Sequence, residues 1–231
     1  MTRLRPRGST VTGLCRVPVR GFETGCGMQL TQVEWLPSPP DGSKVCLGFD
    51  GSENHDHTAI QGETIDGLTF TPRYGPDSRP TVWNPEEWGG QIPRGEVAAA
   101  VDELFARYSV ARMYADPHDW YSEIGDWALQ YGEEHVFEWN TSRIAKMYDE
   151  IRRFEVDLRE GRMTHDGCPI ATLHAANARK VAKPGQKYIL GKPAAHQKID
   201  AIMARILAHT AASDARLDGW GEVTDNRMWC F

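Results

Sequence analysis

Three aspartates stand where a chain can most easily build chemistry. Asp50 closes the apolar run Val45-Cys46-Leu47-Gly48-Phe49 and precedes Gly51-Ser52, and Asp116 closes a second apolar run, Val110 to Ala115, and precedes Pro117. Asp200 follows Lys198-Ile199 inside the last amphipathic stretch. Short apolar runs of this kind fit buried strands. Open α/β sheets collect ligands at the carboxyl ends of adjacent parallel strands, so neighbouring parallel strands here would set Asp50 beside Asp116. Carboxylates that close repel one another, which makes a divalent cation their natural partner, and an all-oxygen donor set suits Mg²⁺ or Mn²⁺ better than zinc. Two such ions about 3.5–4 Å apart can activate a water and stabilise a leaving oxygen in phosphodiester cleavage. Asp200, carried on a helix, would ligate the second ion across the cleft. A strand-end Asp before Gly or Pro is often only a turn former; the conjunction of all three is what points to a site.

The other titratable residues carry weaker signals. Asp56, in Asn54-His55-Asp56-His57-Thr58, is a candidate fourth metal carboxylate. His55 and His57 have no Cys or third His nearby in sequence and read as loop residues. Asp166, in Thr164-His165-Asp166-Gly167, reads as a turn. No GxSxG elbow gives a Ser-His-Asp set its context. GxxxxGK[ST] is missing, which argues against a self-contained ATPase or kinase of the P-loop class. Five cysteines form no CxxC pair, so zinc ribbons and disulfide frameworks are not expected, and scattered thiols read as reduced ones in a cytoplasmic protein.

The chain of 231 residues holds 26 Lys+Arg against 32 Asp+Glu, for a net charge of −6. That balance argues against a polyanionic partner, but the distribution of charge argues for one. From Gly167 to Ile199 there is no acid, while Arg179, Lys180, Lys183, Lys187, Lys192 and Lys198 all fall in this window. A local basic stretch in an acidic chain is a candidate DNA-binding face that grips phosphates with little sequence preference; the bland alternative is a solvated loop. With 40% hydrophobic and 25% charged residues the chain has the composition of a globular protein. No run approaches the roughly 18 apolar residues of a membrane span, so no membrane partner is expected.

The elements that must position these residues follow from periodicity. Residues 1–43, with Arg3, Arg5, Arg7, Arg16 and Arg20 among Pro and Gly, read as a poorly ordered extension and linker ending in the turn-rich Ser38-Pro39-Pro40-Asp41-Gly42. Lys44 to Asp50, Thr58 to Ile65 and Leu68 to Tyr74 are expected as an antiparallel three-strand meander, the last two joined at Asp66-Gly67. Helix Pro93–Tyr108, strand Val110–Ala115, helix Asp119–Tyr131 and strand His135–Trp139 follow. A long helix, Thr141–Glu160, is expected with Thr141 as its N-cap. Cys168–Ala178 is weakly helical, Val181–Lys192 a hairpin or loop around Pro184-Gly185, and His196–Ala212 the closing helix. The expected architecture is a domain over 44–213 with a mixed β-sheet, meander plus parallel strands, flanked by helices on both faces, then a tail over 214–231.

In order along the chain, Leu47-Gly48-Phe49-Asp50-Gly51-Ser52, Asp56-His57-Thr58-Ala59, Met113-Tyr114-Ala115-Asp116-Pro117 and Lys198-Ile199-Asp200-Ala201 resemble the nuclease domain of tailed-bacteriophage large terminase subunits. His174-Ala175-Ala176-Asn177-Ala178-Arg179 resembles the segment that precedes the third acid there. The resemblance runs from about Val45 to Ala212. It implies an RNase H-like α/β fold, with Asp50, Asp116 and Asp200 binding two ions to cut concatemeric viral DNA during genome packaging. It further implies double-stranded DNA, a terminase ATPase, a small terminase subunit and the portal as partners, in the host cytoplasm at the procapsid. The family's ATPase motor has no counterpart in this sequence. Two alternatives stay open: a non-catalytic docking component of the packaging machine, and a resolvase- or transposase-like nuclease of the same fold, although no helix-turn-helix or zinc-finger signature accompanies it.

Overall fold

A computed structural model describes residues 34–221; residues 1–33 of the extension expected over 1–43, and the end of the expected tail, 222–231, lie outside the described residues. The first three strands are β1 (Lys44–Asp50), β2 (Thr58–Thr64) and β3 (Leu68–Phe70), and they form the antiparallel meander. Gly67 turns the second connection with φ +85°, a conformation that glycine enters without steric cost. Two small pairs follow: β4 (Arg73–Tyr74) with β5 (Arg79–Pro80), and β6 (Val82–Trp83) with β2. Then come α1 (Arg94–Arg107), β7 (Ser109–Ala115), α2 (Tyr121–Tyr131), β8 (Val136–Glu138), α3 (Ile144–Arg159) and β9 (Thr164–His165). The last elements are α4 (Pro169–Asn177), β10 (Arg179–Lys183), β11 (Lys187–Gly191) and α5 (Asp200–Leu217). The main sheet runs β8-β7-β1-β2-β3-β9, with β1, β7 and β8 parallel to one another and β9 parallel to β3. This is the mixed sheet expected from sequence.

Alternation along β1 decides the layering. Val45, Leu47 and Phe49 pack against Val97, Val101 and Leu104 of α1 and Ile124 and Trp127 of α2. Cys46 faces the opposite layer, with Met147, Ile151 and Phe154 of α3 and Ile202, Ile206 and Leu207 of α5. Gly48 lies on that second face, and a Cβ there would stand 2.1 Å from the Ala204 carbonyl oxygen and 2.3 Å from the Ala208 nitrogen. The backbone of α5 therefore rests directly on β1. Two strand residues from Gly48 to Asp50 advance about 6.6 Å, and four helix residues from Ala204 back to Asp200 advance about 6 Å. The close approach at Gly48 thus brings Asp200 level with Asp50.

Several boundaries differ from expectation, each for a local reason. Residues 34–43 do not hang free: Trp35 Nε1 donates to Asp166 Oδ2 at 3.0 Å, and the Gly42 amide donates to the Arg107 carbonyl at 2.6 Å. The third strand breaks at Thr71-Pro72, because proline offers no ladder donor, and the chain restarts as β4. The long helix begins at Ile144 rather than Thr141, and no side chain caps it. The closing helix begins at Asp200 rather than His196 and continues past Ala212 to Leu217, where Arg216 reaches the fully buried Glu63 at 2.7 Å. Among the described residues no helix is long and apolar enough to cross a membrane.

Candidate metal centre

Asp50 ends β1 and Asp116 directly follows β7; Phe49 pairs with Ala115, and the Asp116 amide donates to the Phe49 carbonyl at 3.0 Å. The two strand-end acids are therefore neighbours on parallel strands. Asp200 opens α5 above them, and all three line one cleft of about 360 Å³, together with Asp56, His118 and Lys192. Gly51 lets the core pack tightly beneath the strand end: a Cβ there would meet the Trp120 ring at 2.5 Å. Trp120 is fully buried, edge-on to Phe49 and beneath Arg94, so it packs in the core behind the cleft and is no stacking platform.

The electrostatics are those of carboxylates crowded without compensation. Burial, then Asp200, Asp116 and Asp56, push the Asp50 carboxyl well above its ordinary value. Burial and then Asp56 raise Asp200 to about 6. Asp200 Oδ2 is buried and meets no hydrogen-bond partner. A buried carboxylate oxygen left bare beside two other acids is the arrangement a cation would complete, and the donor set facing the cleft is oxygen-rich. Asp56 lines the same cleft but is already engaged: burial raises it, while hydrogen bonds from Lys192 and from Lys198, the latter at 2.9 Å, hold it below its ordinary value.

The basic residues separate into groups that the sequence does not distinguish. β10 and β11 pair as an antiparallel hairpin, with Lys183 and Lys187 opposite each other at its turn. Lys180 is held by Glu155 at 2.8 Å, and Arg179 donates to the carbonyls of Ala176 and Ala178. Lys192 and Lys198 reach into the cleft through Asp56. Lys183 and Lys187 have no acid partner among the described residues.

Sequence reasoning missed three contributors. Thr141, expected as a helix cap, instead donates its hydroxyl to Asp116 Oδ2. His118 and Asp119 pair at 3.1 Å on the cleft rim, with Asp119 at φ +62°, a strained backbone for a non-glycine residue. His57, read as a plain loop residue, lies against His174 of α4 with ring centroids 5.1 Å apart. Burial, then His57 and Lys198, lower His174 to about 4, so its ring is neutral near pH 7. Only the chain path joins Thr141 to Asp116 and His57 to His174; no local spacing announces them. Asp166 does make the expected turn, accepting from the Cys168 amide at 3.2 Å, but it is also a buried partner of Arg205 at 3.1 Å.

This arrangement is the RNase H-like fold found in the nuclease domains of phage large terminases. The large terminase nuclease of thermophilic phage G20c superposes with a TM-score of 0.58 at 13% identity, over 74% of this chain and 85% of that one. A magnesium-bound form of that nuclease gives 0.56 at 15% identity, over 74% and 84%. The bacteriophage HK97 large terminase gives 0.57 at 20% identity, over 77% of this chain and 40% of that one. In sequence, the chain is similar to the Gene 13 protein of Mycobacterium phage D29, 31% identical over 185 residues, and to that of Mycobacterium phage L5, 30% identical over 185. Those matches cover 75% of this chain, which spans 30% of the length of either relative. No protein-family model matches.

Proposed function

We propose that this chain is the nuclease domain of a phage large terminase, a metal-dependent endodeoxyribonuclease that cuts concatemeric viral DNA during packaging. The observation that carries the reading is the meeting of Asp50, Asp116 and Asp200 in one cleft, with Asp50 held well above its ordinary pKa and Asp200 Oδ2 bare. The magnesium-bound neighbour of the same fold supports a divalent cation there. Asp50, Asp116 and Asp200 would hold two ions, Mg²⁺ or Mn²⁺, and the bound ions would lower the pKa of a water and neutralise charge on the phosphate. Thr141 fixes the Asp116 carboxylate in place. Lys183 and Lys187 grip the backbone, and Lys192 and Lys198 set a positive rim. An ATPase motor, a small terminase subunit and the portal are the partners of this reading, at the procapsid in the host cytoplasm.

Incubating supercoiled plasmid with the full chain in Mg²⁺, Mn²⁺ or EDTA tests it. Nicking and linearisation with either ion, and none in EDTA, is the expected result; cutting that continues in EDTA would exclude the metal reading, and no cutting with either ion by folded protein would favour a docking role. Replacing Lys183 and Lys187 by Ala should weaken DNA binding across all sequences. It should also flatten the slope of log affinity against log salt by about 0.9 for each phosphate that is no longer neutralised. An unchanged slope would remove the hairpin from the DNA interface.

The raised carboxyls set a pH dependence of definite sign. Asp50 and Asp200 hold protons more tightly folded than unfolded, so ion-free stability falls as pH rises from the ordinary carboxylate range, about 4, through about 6. Cation binding runs the other way, since protons compete for the same oxygens. Saturating Mg²⁺ should therefore raise the melting temperature by several degrees at pH 8 and barely at pH 5; equal shifts at both would contradict the assignment.

A further inference from the structure

We propose that His57, His174 and Asp200 form a second metal site, for a transition ion of the Zn²⁺ class, whose occupation withdraws Asp200 from the acidic cleft. The inhibitory consequence rests on the nuclease reading above; the site itself does not. One potential ligand atom from each of the three residues lies within 4.8 Å of the other two. The residues come from three separate places: the loop after β1, the interior of α4 and the first turn of α5. His57 Nδ1 and Asp200 Oδ2 are both buried with no hydrogen-bond partner, and Asp200 is only 8% exposed. Buried polar atoms without partners, on two residues whose ligand atoms lie this close, leave coordination open to an ion.

The donor set selects the ion. Two imidazoles with one carboxylate suit Zn²⁺ and its first-row neighbours, whereas the oxygen set of the acidic cleft suits Mg²⁺ or Mn²⁺. Tetrahedral bonds of about 2.0–2.1 Å place ligand atoms about 3.4 Å apart, so a pair at the 4.8 Å limit would close by about 1.4 Å through side-chain rotation. His174 sets the cost of binding. A neutral imidazole has a single in-plane lone pair, and here Nδ1 spends it on the Ala201 amide at 3.0 Å, capping a helix that has no side-chain cap from its own N-cap residue. An ion that takes this ring's lone pair displaces that hydrogen bond. Occupation therefore does two things together: it turns Asp200 toward the histidines, and it frees the first turn of α5. Both oppose a cation in the acidic cleft, which makes the site antagonistic to Mg²⁺.

The test uses the full chain carrying Asp50→Asn and Asp116→Asn, which strips the acidic cleft but keeps His57, His174 and Asp200. Co²⁺ serves as the probe, because nitrogen ligation in a low-coordinate site gives visible absorption that an all-oxygen octahedral site does not. One Co²⁺ per chain with that absorption is expected, bleached by Zn²⁺, together with a shift of the Ala201 amide resonance. Adding His57→Gln, whose Nδ1 has no partner to lose, should weaken binding by at least about tenfold. No absorption, or equal affinity in the His57→Gln protein, overturns the site. Should the double variant not fold, the same titration on the parent protein without Mg²⁺ reads the same two outcomes, since Co²⁺ held by the all-oxygen cleft adds no such absorption. In the nuclease assay, Zn²⁺ should inhibit Mg²⁺-dependent cutting and His57→Gln should relieve it. A chain that binds Co²⁺ in this way but cuts no DNA would keep the site and refute the nuclease reading, so the two failures are told apart.

Discussion

Asp50→Asn is expected to abolish cleavage and, in the same protein, to raise the stability of the ion-free fold. The two effects have one origin. Asp50 is pressed between a desolvating environment and the charges of Asp200, Asp116 and Asp56, so its ionised form is costly in the absence of a cation. A neutral amide of the same shape removes that repulsion, and a gain of about 1–2 kcal/mol would lift the melting temperature by about 2–8 °C in a domain of this size. The same change removes a ligand. Losing several kcal/mol of charge stabilisation lowers the rate by about 10³-fold or more. Thermal melts in EDTA, set beside a plasmid-nicking time course, read both. A variant that is less stable and still active would show that Asp50 serves the fold rather than the site.

Gly48→Ala should be the most damaging single methyl group in the core. The added carbon would fall 2.1 Å from the Ala204 carbonyl and 2.3 Å from the Ala208 amide, and both are helix backbone that cannot rotate aside. Either α5 lifts off β1 or the strand buckles, at a cost of about 3 kcal/mol, the upper part of the range for overpacked cores. Because this close approach sets the height of Asp200 above Asp50, cleavage should fall further than stability does. Denaturant titration and nicking at a temperature where the variant remains folded separate the two. A loss below about 1 kcal/mol would mean that α5 does not sit on β1 as described.

Much of the frame was legible in the sequence because its strongest signals are local. β1 and β7 are short, nearly unbroken apolar runs, as parallel strands covered on both faces must be, and their terminal acids announce themselves by position. The Asp66-Gly67 turn and the apolar stripes of α1 and α5 are local as well. What was hidden depends on where distant segments meet. Thr141 looks like an N-cap until the chain path carries it to Asp116; His57 looks like a loop residue until α4 brings His174 beside it. The basic window is a continuous stretch in sequence, yet Lys180, Lys192 and Lys198 are held by acids from other elements, leaving Lys183 and Lys187 at the hairpin turn. The closing helix outlasts its apolar stripe because its last turns are fixed by ion pairs, among them Arg216 with Glu63, which hydropathy does not register.

The central claim is that the three-aspartate cleft hydrolyses DNA with bound cations, and Asp116→Asn tests it most directly. Asparagine keeps an oxygen to accept the Thr141 hydroxyl, so the strand end should stay in place while the charge is lost. The measurement is the initial rate of supercoiled-plasmid nicking in Mn²⁺ for the parent and the variant, with matched melting curves. The account predicts metal-dependent nicking by the parent and a loss of about 10³-fold in a variant that melts no lower. Nicking by Asp116→Asn at the parental rate would contradict it.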